Sequence, residues 1–385
     1  MEKLLKEICP SEKEKEEIKS KVESFLKKLK IEETIKVGGS YAKNTWLSGN
    51  HDIDIFVLFP KEDNISDQLE KSLKRYFRSV ERIHGSRDYF QVKFKGLNFE
   101  IIPVLKIKEL KEARNTTDYS PLHVEWIQKN TNKKLCNEIR LVKQFCKGQN
   151  IYGAETYING FSGHVLEILT INKGSFKELI KFISKVKEGT QIGEGNINQS
   201  KKSPLIVIDP IDKTRNAAAA LSKEKFYIFQ KRAKEYLVSP SPTFFKEKRL
   251  KKGDLKKKDI ILEASPLKGK RDVVGTKLLK AFEYIKRELR DFKVKDSGFY
   301  WRGEKVALFW YNLKNKRLNE FRLHYGPPLD KPLDVKKFKQ KHKLTFTKEN
   351  KICTKLKRDF TDPKKFLKNL FKNVEIKTRV KKIKF

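Results

Sequence analysis

Asp52 and Asp54 alternate with Ile53, Ile55 and Val57 in a segment that reads as a β-strand. Both carboxylates therefore leave one face while the branched aliphatic side chains leave the other. Carboxylates paired in this way can share divalent cations. Ser40 lies twelve residues before Asp52 and follows Gly38 and Gly39. A glycine-built strand-to-helix turn lets backbone N–H groups approach phosphate closely. Together the two features point to phosphoryl-type transfer, in which carboxylate-held Mg²⁺ ions activate a hydroxyl and steady a departing pyrophosphate. A third carboxylate, Glu100, stands in the apolar run Phe99-Glu100-Ile101-Ile102-Pro103, where an ionised side chain needs a partner. It would ligate the catalytic metal and accept the hydroxyl proton. The bland alternatives are a solvated Asp-x-Asp strand edge and a Glu100 that faces water beside Lys95 or Lys106. Gly39-Ser40 at this spacing favours chemistry.

The elements that must position these groups follow from periodicity. Residues 1–30 read as one amphipathic helix with Ile18, Val22, Phe25 and Leu26 on one side. Strands are expected at 34–37, 51–59, 89–94 and 99–105. A short helical piece should run through Trp46, and a further helix near 65–79. This is a small α+β domain ending near residues 115–119. Helices near 121–129, 134–147, 160–169 and 175–185 predict an α-rich second unit. A polar loop over 189–203, a strand at 205–208 and an Ala-rich helix opening at 216–221 come next. Pro240 and Pro242 suggest a linker. Beyond it, strands at 258–263, 299–301 and 305–311 mix with Lys-rich helices at 277–289 and 363–371. The expected division is a catalytic head over 1–120, a helical neck over 121–240 and a basic body and tail over 241–385.

The 385 residues carry 88 Lys and Arg against 49 Asp and Glu, a net charge of +39. Such an excess favours a polyanionic partner, nucleic acid first. It is concentrated: residues 241–385 hold 44 basic and 17 acidic side chains. A surface of balanced Lys and Glu would not be so lopsided. With 26 Phe, 12 Tyr and 4 Trp the chain folds rather than staying disordered. Cys9, Cys136, Cys146 and Cys353 show no CxxC spacing, and no leader pattern follows Met1, so a reduced cytoplasm is the expected location. The apolar runs are too short for a membrane span.

The run from Gly38 to Leu47 followed by Asp52-Ile53-Asp54 resembles the archaeal class I CCA-adding enzymes, tRNA nucleotidyltransferases of the polymerase beta superfamily. Residues 117–123, 140–143, 152–155, 160–163 and 209–219 resemble that family in the same order, and His324-Tyr325-Gly326-Pro327-Pro328 does so more thinly. The superfamily motifs alone also suit poly(A) polymerases; the later stretches select the CCA branch. The resemblance implies an α+β multidomain fold with a polymerase-beta-type head, two Mg²⁺ ions on Asp52, Asp54 and Glu100, and addition of CCA to tRNA from CTP and ATP. It implies that Gly39, Ser40, Lys43 and Asn44 meet the triphosphate, with Lys143. His123 would contact the nucleotide, Tyr152 the sugar or triphosphate, and Arg215 would select the base, its planar donor fork serving cytosine and adenine. From the residues alone, Lys143 also reads as solvent-exposed and Arg215 as a helix-starting surface side chain. The neck, body and tail would grip the acceptor stem and elbow of tRNA, and a homodimer is a candidate assembly. Partial CC- or A-adding activity and a catalytically silent RNA-binding protein are the competing readings. Two departures stand out: Glu100 where the family generally has Asp, and Lys43 where it has Arg. The latter loses bidentate phosphate contact, so nucleotide affinity should rise in Lys43→Arg.

Overall fold

The computed structural model describes every residue except Glu62, Ser86, Gln199 and Ser200, and the chain divides into two units, Met1–Lys248 and Arg249–Phe385. The expected single N-terminal helix is two, α1 (Glu2–Ile8) and α2 (Glu12–Lys28). Pro10 forces extended backbone before it, and Ser11 starts α2 afresh by accepting a hydrogen bond from the Glu14 N–H. Next come β1 (Thr34–Val37), α3 (Gly39–Ala42), β2 (Asp52–Phe59), α4 (Ile65–Tyr76), β3 (Glu81–Ile83), β4 (Tyr89–Phe94) and β5 (Leu97–Leu105). They form a five-stranded mixed sheet in the order β1-β2-β5-β4-β3. Only β2 and β5 pair in parallel within it.

Alternation along β2 sets the acids on the face away from the head's main core. Ile53, Ile55 and Val57 join Phe25 of α2 and Leu69 and Leu73 of α4 in one core. The opposite face carries Asp52 and Asp54, then Phe56 and Leu58, which pack with Val104 and Val124. Val124 belongs to α5 (Ser120–Lys129), the first helix of the part that follows. Asp118 fastens that junction: its buried carboxylate accepts from the backbone N–H groups of Leu105, Arg114 and Asn115, each at 2.9 Å, and from Arg87.

Helices α6 (Lys133–Gly148), α7 (Gly163–Lys173) and α8 (Phe176–Lys185), strands β6 (Thr190–Ile192) and β7 (Leu205–Val207) and helix α9 (Lys223–Val238) complete the first unit. Three expectations need correcting. The polar stretch 189–203 contains β6, paired in parallel with β7; its residues 199 and 200 lie outside the described residues. Residues 216–221 turn rather than form a helix, because Asn216 uses its side chain on backbone: Oδ1 accepts from the N–H of Val207 and of Ala218, each at 3.0 Å. The helix waits for Ser222, which caps α9. Nor does the Pro240–Pro242 segment lead into a linker: Phe244 and Phe245 are buried, and Phe244 stacks on Phe145 with centroids 5.9 Å apart.

The second unit holds two sheets. Strands β8 (Ile260–Ser265), β9 (Val294–Tyr300) and β10 (Ala307–Leu313), with helix α10 (Arg271–Glu288), precede β11 (Phe321–Pro328), α11 (Pro332–Lys341), β12 (Phe346–Lys348) and β13 (Lys351–Lys357). Helices α12 (Pro363–Leu370) and α13 (Val374–Lys377) and strand β14 (Lys382–Lys384) end the chain. The strand orders are β14-β8-β10-β9 and β11-β13-β12. Trp301 and Tyr311 are core residues here. Among the described residues no helix is long and apolar enough to cross a membrane.

Candidate active site

The parallel register of β2 with β5 sets Asp54 opposite Glu100, with Asp52 two residues earlier on the same face. Burial, then the charges of Glu100 and Asp52, push the Asp54 carboxyl up to about 7, while Lys43 pulls the other way. A divalent cation bound to these acids would relieve both the desolvation and the repulsion, although their ligand atoms are not drawn together within 4.8 Å as a three-residue set among the described residues. The Gln91 side chain donates to Glu100 Oε1 at 2.8 Å from the directly opposed position on β4. That tether gives the longer carboxylate a fixed place.

The glycine turn is fastened to the same strand. Gly38 N–H donates to the Asp54 carbonyl at 2.7 Å. Gly39 has φ of +62°, and a Cβ there would sit 1.9 Å from Asp54 Oδ2. Only glycine satisfies both conditions. Ser40 continues the turn, and its carbonyl accepts from the Thr45 N–H at 2.9 Å. Asn44, at φ +52°, accepts on Oδ1 from Arg140 at 2.8 Å. Arg140 also donates to the Trp46 carbonyl, so α6 clamps the end of this loop. A cavity of about 600 Å³ is lined by Lys43, Asn44, Gln128 and Arg140 but by none of the three acids.

Lys43 and Lys143 meet at a residue the sequence reading passed over. Glu167 accepts from Lys43 at 3.0 Å through Oε2, and from Lys143 at 2.7 Å and Thr45 Oγ1 at 2.7 Å through Oε1. Lys143 is not solvent-exposed: it is 3% accessible. Burial lowers its pKa, with Glu167 opposing. Burial also opposes charge on Glu167, yet the Lys143 and Lys43 ammonium groups outweigh it and hold that carboxyl well below the usual range. Tyr152 reaches the same place, its hydroxyl within 3.0 Å of where a Gly163 Cβ would stand and Lys143 Nζ within 3.8 Å of it. Burial pushes the Tyr152 hydroxyl upward, so it stays protonated.

A second overlooked carboxylate, Asp209, gathers the remaining groups. It accepts from His123 Nε2 at 2.8 Å and Arg215 Nη1 at 2.5 Å, and His164 Nε2 lies 3.6 Å away. Arg215 sits in a turn rather than at a helix start. Burial lowers the His123 pKa, more than Asp209 raises it. His123, His164 and Asp209 also form the group of His, Cys, Asp and Glu that could hold a metal among the described residues, with ligand atoms within 4.8 Å of one another. The Arg215 guanidinium on the same carboxylate disfavours a cation there. One signal could have exposed both missed residues, since Glu167 interrupts the apolar run Val165 to Leu169 and Asp209 follows Leu205 to Ile208, as Glu100 interrupts its own strand.

Residues 16–123 match the family described as nucleotidyltransferase domain. The solved structure of Cid1, an RNA terminal uridylyl transferase, covers 65% of this chain and 97% of its own at 12% identity, with a TM-score of 0.50, a likeness of fold. Fold and acid cluster together define a polymerase-beta-type nucleotidyltransferase, a class that uses divalent metals and nucleoside triphosphates. Residues 137–246 match the family described as tRNA nucleotidyltransferase, second domain, and 266–383 that described as CCA-adding enzyme, C-terminal domain. The CCA-adding enzyme of Nanoarchaeum equitans is 38% identical over 342 residues, covering 82% of this chain and 81% of that protein. That of Sulfurisphaera tokodaii is 32% identical over 337 residues, with 85% and 80% covered. The chain belongs to the CCA-adding enzyme family.

Proposed function

We propose that this protein adds C, C and A to the 3′ end of tRNA from CTP and ATP, without a template and with release of pyrophosphate. The observation that carries the reading is the in-register pairing of Asp54 with Glu100 beside a Gly39 turn that touches Asp54, in a chain with the three domains of its family. Asp52, Asp54 and Glu100 would hold two Mg²⁺, which when bound acidify the attacking 3′-hydroxyl and neutralise the triphosphate. Glu100, tethered by Gln91, would take the hydroxyl proton. Gly39 and Ser40 would present backbone N–H groups to the phosphates, Asn44 would hold the turn open beside them, and Lys43 and Lys143 would supply positive charge. Tyr152 would pack beside Lys143 against the sugar or triphosphate. His123 and Arg215 would meet the base, and with no template strand the choice of base falls to them.

In this reading the head, residues 1–120, carries the chemistry. The neck, 121–240, shares nucleotide and tRNA binding, and the basic body and tail, 241–385, grip the acceptor stem and elbow by shape and backbone. A homodimer is part of the proposal, tested by light scattering. The four free cysteines suit a reducing cytoplasm. The deciding experiment incubates the protein with tRNA lacking its terminus and each labelled nucleotide. Addition limited to C, C and A is expected. Long A tails, UTP or GTP incorporation at comparable rates, or no turnover at all would overturn it.

A further inference from the structure

We infer that Asp209 is a specificity-determining positioning residue: by holding the Arg215 guanidinium in one orientation it sets which base the pocket accepts, although it is too deep to touch a base itself. The inference rests on the reading that Arg215 selects the base.

The Asp209 side chain has no solvent exposure, whereas that of Arg215 is 34% exposed. A carboxylate so buried must be fully partnered, and the partners divide cleanly between its two oxygens. Oδ1 accepts from His123 Nε2 at 2.8 Å and from the backbone N–H groups of Ile211 at 2.9 Å and Asp212 at 3.2 Å. Oδ2 accepts from Arg215 Nη1. The backbone repeats the grip, because Asp209 N–H donates to the Arg215 carbonyl at 3.0 Å and Arg215 N–H donates to the Asp212 carbonyl at 3.0 Å. Arg215 is thus fixed at its main chain and at one nitrogen of its fork, which restricts where its remaining N–H donors can reach. An unanchored arginine would spread its donors over many rotamers and accept wrong bases more readily. His164 completes the wall: its ring lies 4.3 Å from that of His123, and its Nε2 approaches Asp209 Oδ2 at 3.6 Å beside Arg215.

The split between oxygens makes the test selective. In Asp209→Asn the amide oxygen can keep the Oδ1 set, while the amide nitrogen faces Arg215 with donors where an acceptor stood. The measurement is kcat/KM for CTP and for UTP on tRNA lacking its terminus, with thermal melting alongside. Asp209→Asn should lower the CTP-to-UTP ratio by roughly tenfold or more, and should lower it no further in an Arg215→Ala background, since the effect passes through Arg215. An equal loss for both nucleotides with the ratio intact would make Asp209 merely structural and overturn the inference. A ratio intact in Asp209→Asn but collapsed in Arg215→Ala does the same while sparing the parent reading. A ratio intact in Arg215→Ala removes the parent reading, and this inference with it. Should Asp209→Asn fail to fold, Asp209→Glu, which displaces the charge instead of removing it, is judged by the same ratio and the same outcomes.

Discussion

The Asp54 carboxylate feels burial, two neighbouring carboxylates and a glycine turn at once, and each has a measurable consequence. Its carboxyl, ordinarily near 3.8, titrates at about 7 in the folded chain. The folded state therefore binds a proton that the unfolded state has released between those values. The stabilising contribution is complete below about pH 4 and fades as pH rises through about 7. A divalent cation favours the ionised form. The rise in melting temperature caused by MgCl₂ should thus be larger at pH 8 than at pH 5.5 and should nearly vanish in Asp54→Asn; an equal rise at both pH values would contradict the assignment. Gly39 gives a second residue-scale prediction. In Gly39→Ala the new methyl displaces Asp54 Oδ2 and strains a left-handed backbone. Nucleotide incorporation should fall by about 10² or more, with about 1–3 kcal/mol lost in denaturant unfolding. A variant of normal activity would mean that Asp54 and the turn fastened to it take no part in the reaction.

At the scale of elements, α6 and α7 carry the buried cluster of Lys143, Glu167 and, from the turn before β2, Lys43. Glu167→Ala leaves the Lys143 charge buried without its partner and should cost about 3–5 kcal/mol in urea unfolding. Lys143→Met combined with Glu167→Leu should recover most of that stability while leaving nucleotide KM raised. If the double variant also binds nucleotide normally, Lys143 plays no part in the triphosphate site. This layer also separates what the sequence made legible from what it did not. Strands β1 and β4 run over the residues that alternation marks out, because one face of each is built for a core. The placement of Asp52, Asp54 and Gly39 on one strand and the turn before it was readable for the same reason, since it is local. Glu167 and Asp209 stand out only as charges beside apolar runs, and what they hold was not legible. Their partners Lys43 and His123 lie 124 and 86 residues away in the chain, and local periodicity carries no record of such pairings. The helix expected at 216–221 failed through a side chain that prefers backbone partners. The linker expected at Pro240–Pro242 failed because the chain goes straight on into the buried Phe244 and Phe245.

For the whole molecule the dominant fact is charge, and the nucleotide site cannot account for it. Residues 241–385 carry a net +27 of the total +39, far from any need of three acids and a triphosphate. Spread over a surface, that excess would repel itself at low salt unless phosphates lay against it. Binding to tRNA should then be governed by counterion release. If six to ten phosphates are neutralised, affinity should fall by roughly 10³–10⁵ between 50 and 200 mM salt. Helix α11 offers a clean probe because Lys336 and Lys337 are exposed and make no ion pair among the described interactions. Reversing both, Lys336→Glu with Lys337→Glu, should reduce the slope of log affinity against log salt by about two. The loss should be the same for tRNAs of different sequence, with no change in melting temperature. A slope unchanged by the pair would take α11 off the RNA-binding surface. A loss confined to some tRNAs would mean that the basic half reads sequence rather than the shape that all tRNAs share.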